Sequence, residues 1–238
     1  MPFDFKQFSI DDSACAMKVG TDGVLLGAWA ALPASGVIVD IGTGSGLIAL
    51  MIAQRAGTSV SITGIESDPD AAKCAYANVK SSKWHEAATI KHADFAEYEP
   101  PTPPSLIISN PPFFTSGMLP PDLARTTARH CNGPLTPMSL IGYADRDLAV
   151  GGSLAMITPA DMEQAIIFEA TMRHMSVVRR CDVTTVPHKK PRRILWQIQR
   201  HKDTPGAIAE HTRLSIRDCN GTFSDEYKSL TAPFYLDF

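Results

Sequence analysis

The chain has 238 residues, of which 44% are hydrophobic and 20% charged, and its formal net charge is −3. This is the composition of an ordinary folded globule with a sizeable core, and the net charge excludes a protein that coats nucleic acid indiscriminately, since that requires neutralising many phosphates. The longest apolar runs, GVLLGAWAAL and GLIALMIA, reach about half of the roughly 20 residues needed to cross a bilayer, so no membrane segment is expected.

The first residues, MPFDFKQFSIDD, put acidic and aromatic groups where a signal peptide would carry a basic and then an apolar region, so a cytoplasmic protein is expected. The stretch KVGTDG (18 to 23) reads as a helix start capped by Thr21. Apolar β-rich runs follow at 37 to 41 (VIVDI), 60 to 66 (VSITGIE), 88 to 94 (ATIKHAD), 105 to 109 (SLIIS) and 152 to 158 (GSLAMIT). They alternate with the helical patterns GLIALMIAQRA, DPDAAKCAYANVKSS and TPMSLIGYADRDLAVGG, the last with Thr136 as cap and Pro137 at the first helical position. Such alternation predicts a mainly parallel sheet with helices on both faces.

Beyond it, SVVRRCDVTTVPHKKPRRILWQIQRH offers two β-rich runs joined by a Pro- and Lys-rich turn. An antiparallel pair closing the sheet is expected, with the basic turn at the edge, where charge also discourages edge-to-edge pairing. The ending GTFSDEYKSLTAPFYLDF opens a short helix capped by Ser224, and EPPTPPS (99 to 105) is a stiff loop leading into the fourth strand. No linker or repeat points to a second domain. Cys15, Cys74, Cys131, Cys181 and Cys219 are odd in number, scattered and without a CxxC pair. Neither a disulfide framework nor a metal site is expected, and each thiol reads as a small buried hydrophobe.

The strand-to-helix junction VDIGTGSGLIAL carries Asp40, Gly42, Gly44 and Gly46. Glycines here let the chain turn tightly and bring backbone close to a ligand at a helix N-terminus. A dinucleotide would fit the glycines equally well, but Asp40 inside the motif repels a pyrophosphate and suits an ammonium group. Glu66, about 20 residues on at the end of the next strand, is placed to grip ribose hydroxyls, and Asp94, at the end of the third, to accept from an adenine amino group, with Glu97 nearby. Any one acid could be a solvated strand end; three at successive strand ends suit S-adenosylmethionine, which has an ammonium, a ribose and an adenine but no phosphate.

The fourth strand runs into Asn110, Pro111, Pro112 and Phe113. Ligands of open α/β sheets bind beyond the carboxyl ends of the strands, so this tetrad faces the same crevice as the glycine loop. The nitrogen of an exocyclic amine is a poor nucleophile, because its lone pair is delocalised into the ring. An asparagine oxygen and a proline carbonyl each accepting one N–H bond localise that pair, a matter of positioning and charge stabilisation. The prolines stiffen the loop and Phe113 offers a face for a flipped base. Taken alone, NPPFF would be a turn with core aromatics; Phe114 is assigned to core packing.

With DIGTGSG and SNPPF, the chain resembles class I S-adenosylmethionine-dependent methyltransferases that act on amino groups. FKQFSIDDSACAMKVGTDGVLLGAWA and YKSLTAPFYL resemble, more narrowly, the bacterial tRNA1(Val) (adenine-37-N6)-methyltransferases. The resemblance implies a Rossmann-like seven-stranded sheet with an antiparallel closing strand over residues 37 to 238, preceded by an N-terminal extension, 1 to 36, packing on the donor and substrate site. It implies a donor held by Asp40, Gly42, Gly44, Gly46, Glu66 and Asp94, with Thr21 and Asp22 folding over it. Asn110, Pro111, Pro112 and Phe113 would receive the adenine, Phe113 standing where tyrosine is also common.

The basic turn would place Lys189, Lys190, Arg192 and Arg193 on phosphates of a tRNA anticodon loop, without reading sequence; the bland alternative is a solvated hairpin tip. A base in a single-stranded loop is splayed more cheaply than one in a duplex. No metal, membrane or obligatory protein partner is implied. Two other activities fit the tetrad: methylation of a protein glutamine amide, whose enzymes usually carry a helical N-terminal domain that this chain is too short before Val37 to build, and methylation of adenine in another RNA. A non-catalytic RNA-binding protein is opposed by the intact glycine loop and tetrad.

Overall fold

A computed structural model describes residues 2–113, 135–201 and 210–237; Phe114 and Cys131 lie outside them. In chain order the elements are β1 (Phe3–Asp4), β2 (Ser9–Ile10), α1 (Thr21–Trp29), β3 (Gly36–Ile41), α2 (Leu47–Arg55), β4 (Val60–Glu66), α3 (Pro69–Ser81), β5 (Ala88–His92) and β6 (Leu106–Ser109). Then come α4 (Pro137–Asp147), β7 (Ser153–Pro159), α5 (Glu163–Met172), β8 (Met175–Thr184), β9 (Arg193–Arg200), β10 (Glu210–Ser215) and α6 (Asp225–Thr231). Strands β1 and β2 form their own antiparallel pair, and the other eight make one sheet in the order β10-β8-β9-β7-β6-β3-β4-β5.

The expected α/β architecture is present, with one strand more than the seven anticipated. Strand β9 is antiparallel to both β7 and β8, while every other neighbouring pair is parallel. The basic hairpin is therefore not at the lateral edge, because β9 is inserted beside β7 and β10 covers β8. Arg193 pairs with Pro159 at the end of β7 and with Val183 near the end of β8. The turn between β8 and β9 thus projects from the carboxyl rim of the parallel strands, the side on which α/β folds bind ligands.

Central strands are buried on both faces, which is why they read as continuous apolar runs. Ile38, Leu106, Ala155 and Leu195 face α1, α2 and α3, whereas Val39, Ile107, Met156 and Trp196 face α4 and α5. In this alternation of period two, Asp40 shares a side with Ile38 and so points toward α2.

Capping follows the sequence closely. Asp68 accepts from the amides of Asp70 and Ala71 with Pro69 at the first position of α3, Thr136 and Ser139 form a reciprocal capping box on α4, and Ser224 accepts from the amide of Tyr227 on α6. The exception is Thr21, expected as a cap, which is the first residue of α1 behind Gly20. Residues at the two termini pack together: Lys6 donates from its backbone to Phe234 O at 2.8 Å, and Phe5 stacks on Phe8 and Tyr235. Among the described residues no helix is long and apolar enough to cross a membrane.

Candidate functional site

The turn between β3 and α2 is built on three glycines in left-handed conformation, Gly42 (φ +66°), Gly44 (φ +57°) and Gly46 (φ +82°), a region that L side chains avoid. Its amides are already engaged. Gly42 and Thr43 donate to Ile65 O at 2.9 and 3.0 Å, Gly46 donates to Thr43 O at 2.9 Å, and Gly44 donates to Glu66 Oε2 at 2.8 Å. A pyrophosphate would find these donors spent, in line with a ligand that carries no phosphate.

The three acids occupy different places. Asp40 is fully buried beneath the loop, where its Oδ2 accepts from Thr43 Oγ1 at 2.6 Å and from the Ala49 amide at 3.1 Å. Burial pushes its carboxyl up to about 7, against the lowering effect of those two bonds. Asp40, expected at the ligand, braces β3, the loop and the first turns of α2 through these two bonds. Its Oδ1 has no hydrogen-bond partner among the described residues.

Glu66, last residue of β4, divides its oxygens between the Gly44 amide and the Asp68 amide at 3.0 Å. Asp94 lies two residues beyond β5 and opens a turn, its side chain accepting from the Ala96 amide at 2.9 Å and its carbonyl from Glu97 and Tyr98.

A cavity of about 330 Å³ opens over the loop, lined by Gly42, Thr43, Gly44 and Ser45, by Lys18, Thr21 and Asp22 from the N-terminal segment, and by Asn110. The glycine loop and Asn110 thus share one wall. The N-terminus of α1 also faces this space, and its partial positive charge favours an anionic ligand group there. Neither Glu66 nor Asp94 lines the cavity. A larger groove of about 420 Å³ near Trp29, Arg179 and Arg213 has its cations engaged: Arg179 pairs with Glu210 at 3.3 Å and sits over the Trp29 ring, and Arg213 donates to Lys189 O.

Asn110 follows β6 directly. Its Oδ1 is out of contact with solvent and has no hydrogen-bond partner among the described residues, so it is free to accept from a group that enters the cavity. The preceding residue, Ser109, is wholly buried and donates to Ile41 O at 2.7 Å, which fixes the end of β6 against the start of the glycine loop. Pro111 is buried and Pro112 partly so. The Phe113 ring packs against the core that includes α1 and α2, with the Arg193 guanidinium 5.3 Å from its centroid.

The four cations of the basic turn divide into two groups. Lys189, Lys190 and Arg192 are exposed on the rim. Arg193 is drawn inward, its Nε donating to Asp22 Oδ2 at 2.8 Å. The turn is held by the Arg192 amide donating to Val183 O at 2.9 Å and by Arg213 donating to Lys189 O at 3.0 Å.

One residue of the site escaped the sequence reading. Asn78 on α3 is buried, accepts from the Asp11 amide at 3.1 Å, and donates to Asp11 O and Ser45 O at 2.8 and 2.9 Å. It ties the N-terminal segment to α3 and to the glycine loop. The signal was available: the buried side of α3 includes Ala71, Ala75, Asn78 and Val79, and an amide on the apolar stripe of a helix demands partners. Among the described residues no group of three or more His, Cys, Asp or Glu could hold a metal ion. The thiols of Cys15 and Cys181 are pushed up by burial, Cys15 to about 12, as befits packing residues.

The family model for the methyltransferase small domain matches residues 16–186. A protein of Aeromonas hydrophila named tRNA1(Val) (adenine(37)-N6)-methyltransferase is 41% identical over 234 residues, covering 98% of this chain and 97% of its own. A protein of Porphyromonas gingivalis with the same name is 45% identical over 244 residues, covering 98% and 94%. Among solved structures, a protein of Agrobacterium tumefaciens described as a predicted O-methyltransferase shares the fold, with a TM-score of 0.67 at 17% identity over 90% of this chain and 96% of its own.

Proposed function

The chain belongs to the tRNA1(Val) (adenine(37)-N6)-methyltransferase family, and from that membership and the geometry of the site we propose that it methylates N6 of adenine 37, beside the anticodon of a valine tRNA, with S-adenosylmethionine as donor. The observation that carries this reading is the buried Oδ1 of Asn110, which has no hydrogen-bond partner among the described residues, on the wall of the cavity that lies over the glycine loop.

When bound, S-adenosylmethionine supplies an electrophilic methyl group on a sulfonium. The residues present suit it. Each carboxylate oxygen of Glu66 keeps a second lone pair after its backbone bond, enough for ribose hydroxyls. The α1 N-terminus with Thr21 suits the donor's carboxylate, and the buried Asp40 carboxyl beneath the loop favours positive charge above it. Asp94, which does not line the cavity, would meet the donor adenine only beyond the space over the loop. The extension of residues 1 to 36 closes the donor side through Asp11 and Asn78.

On the acceptor side, Asn110 Oδ1 and Pro111 O each accept one N6–H of the adenine, which turns the lone pair away from the ring. Phe113 carries the base by stacking, worth about 1–3 kcal/mol in single-strand recognition. The bound donor would supply the methyl carbon to N6, and the proton made acidic on the alkylated nitrogen would leave to water, so no strong general base is called for among this chain's residues. The exposed Lys189, Lys190 and Arg192 contact backbone phosphates of the anticodon arm.

The test is methyl transfer from labelled S-adenosylmethionine to unmodified valine tRNA, with the product mapped to N6-methyladenosine at position 37. Asn110→Ala is expected to lose transfer while retaining donor affinity. Label appearing in a protein fraction and none in tRNA would replace this reading with glutamine-amide methylation.

A further inference from the structure

The sequence places Asp22 with the donor, Arg193 with the RNA phosphates and Phe113 with the target base. The structure brings the three into direct contact. Arg193 is the first residue of β9, held on one side by β7 and on the other by β8, so its backbone belongs to the sheet and not to the loose turn. Its Nε donates to Asp22 Oδ2 at 2.8 Å, its Nη1 to Arg192 O at 3.2 Å, and its guanidinium lies 5.3 Å from the centroid of the Phe113 ring. Asp22 sits in the first turn of α1. About a third of each side chain is exposed, 32% for Arg193 and 29% for Asp22.

Two consequences follow from the chemistry. A guanidinium already paired with a carboxylate at hydrogen-bonding distance is a poor phosphate ligand, because an incoming phosphate must displace that carboxylate or bind beside its negative charge. Cation and ring attract when the planar guanidinium sits over the aromatic face, so the guanidinium fixes the orientation of the Phe113 ring. The ring belongs to the residue that follows Pro111 and Pro112, so holding it also holds the carbonyl that those prolines aim.

We propose that Asp22 and Arg193 form a clamp that orients Phe113 for the target base, which makes both of them positioning residues for the acceptor and not contacts of the donor or of the phosphate backbone. The proposal rests on the adenine-N6 reading above and assigns a task within it. Arginine is specified because lysine offers neither the planar face nor the forked donors that serve ring and carboxylate together.

The experiment compares Arg193→Ala, Arg193→Lys, Asp22→Asn and the double variant Asp22→Asn with Arg193→Ala, using valine tRNA bearing 2-aminopurine at position 37 for base placement and unmodified tRNA for transfer. Expected for Arg193→Ala are a single-turnover rate lowered at least tenfold at saturating tRNA, loss of the 2-aminopurine emission change that the wild type produces on binding, and an unchanged slope of tRNA affinity against salt. Arg193→Lys should fail to restore the rate, Asp22→Asn should leave donor affinity within twofold of wild type, and its effect on rate should vanish in the Arg193→Ala background. A shallower salt slope with an unchanged saturated rate would overturn the clamp in favour of a phosphate contact, and a large loss of donor affinity in Asp22→Asn would return Asp22 to the donor. Failure of the wild type to label tRNA would sink the parent reading instead. The clamp is then still read without RNA from a Phe113→Trp reporter, whose emission should shift when Arg193 becomes alanine and whose indifference would overturn it.

Discussion

Ser109 donates its hydroxyl hydrogen to the carbonyl of Ile41 at 2.7 Å, and this bond joins the strand that delivers Asn110 to the strand that delivers the glycine loop. The glycine loop and Asn110 are thereby set against each other at the level of the backbone. Ser109→Ala removes a buried bond worth about 1 kcal/mol, so the melting temperature should fall by about 2–4 °C for a chain of this length. Because small misplacements of reacting groups are costly, the single-turnover rate should fall by about tenfold or more. Thermal scanning and rapid-quench transfer assays measure the two, and a rate loss no larger than the stability loss implies would assign Ser109 to packing alone.

Asn78→Ala removes the bonds to Asp11 and to Ser45 O and strands buried polar groups. The expected loss of stability is about 1–3 kcal/mol. If the N-terminal segment closes the donor cavity, donor affinity should weaken by about tenfold, equivalent to about 1.4 kcal/mol, while affinity for tRNA is kept. Calorimetric titration with S-adenosylmethionine distinguishes this from a variant that is merely less stable.

Asp40 makes stability depend on pH in a stated direction. Its carboxyl ionises at 3.8 in a model peptide and is raised to about 7 in the folded protein by burial. Between those values the folded state retains a proton that the unfolded chain has released, so this contribution is complete below about 4 and is lost as pH rises to about 7. At about 1.36 kcal/mol per unit it amounts to a few kcal/mol. Urea titrations from pH 4 to 8 should show wild-type stability falling over that window relative to Asp40→Asn; parallel curves for the two proteins would mean that Asp40 is ionised throughout.

Charge at the rim should act on RNA affinity and not on chemistry. Changing Lys189, Lys190 and Arg192 together to alanine should reduce the slope of log affinity against log salt by about 2, at about 0.7 per phosphate contact on a single strand. The rate at saturating tRNA should hardly change. Adding Arg193→Ala to this set should not reduce the slope further, since its charge is taken up by Asp22 at 2.8 Å. Filter-binding titrations at several salt concentrations test both statements.

The elements with strong local signals were legible from the residues. The strands within 37 to 109, the capped starts of α3, α4 and α6, and the glycine turn all follow from apolar runs, from Pro and Asp or Thr at helix starts, and from glycines at positive φ. Helix α5 was not anticipated, because among its residues only Ile166 and Ala170 are buried and its apolar stripe is faint. Strand β10 was missed for a similar reason: of its residues only Leu214 is buried, so its alternation carries little signal. That omission also misplaced the basic turn, which lies at a lateral edge only if no strand covers β8.

By itself the sequence determined the chemistry available to this protein, since a glycine turn with acids at successive strand ends and an Asn-Pro-Pro-Phe ending are local patterns whose meaning lies in residue type and spacing. Tertiary structure alone decided how those groups are shared out. Asp22 and Arg193 are 171 residues apart, and nothing local to either announces the other. Their contact arises because β9 runs against its neighbours and returns its first residue to the carboxyl rim, beside α1 and Phe113. Likewise Asp40 braces the loop through Thr43 and Ala49, because the alternation of a doubly covered strand turned its carboxylate toward α2. Such assignments depend on strand order and on which face each residue presents, and these are set by the burial of the whole sheet.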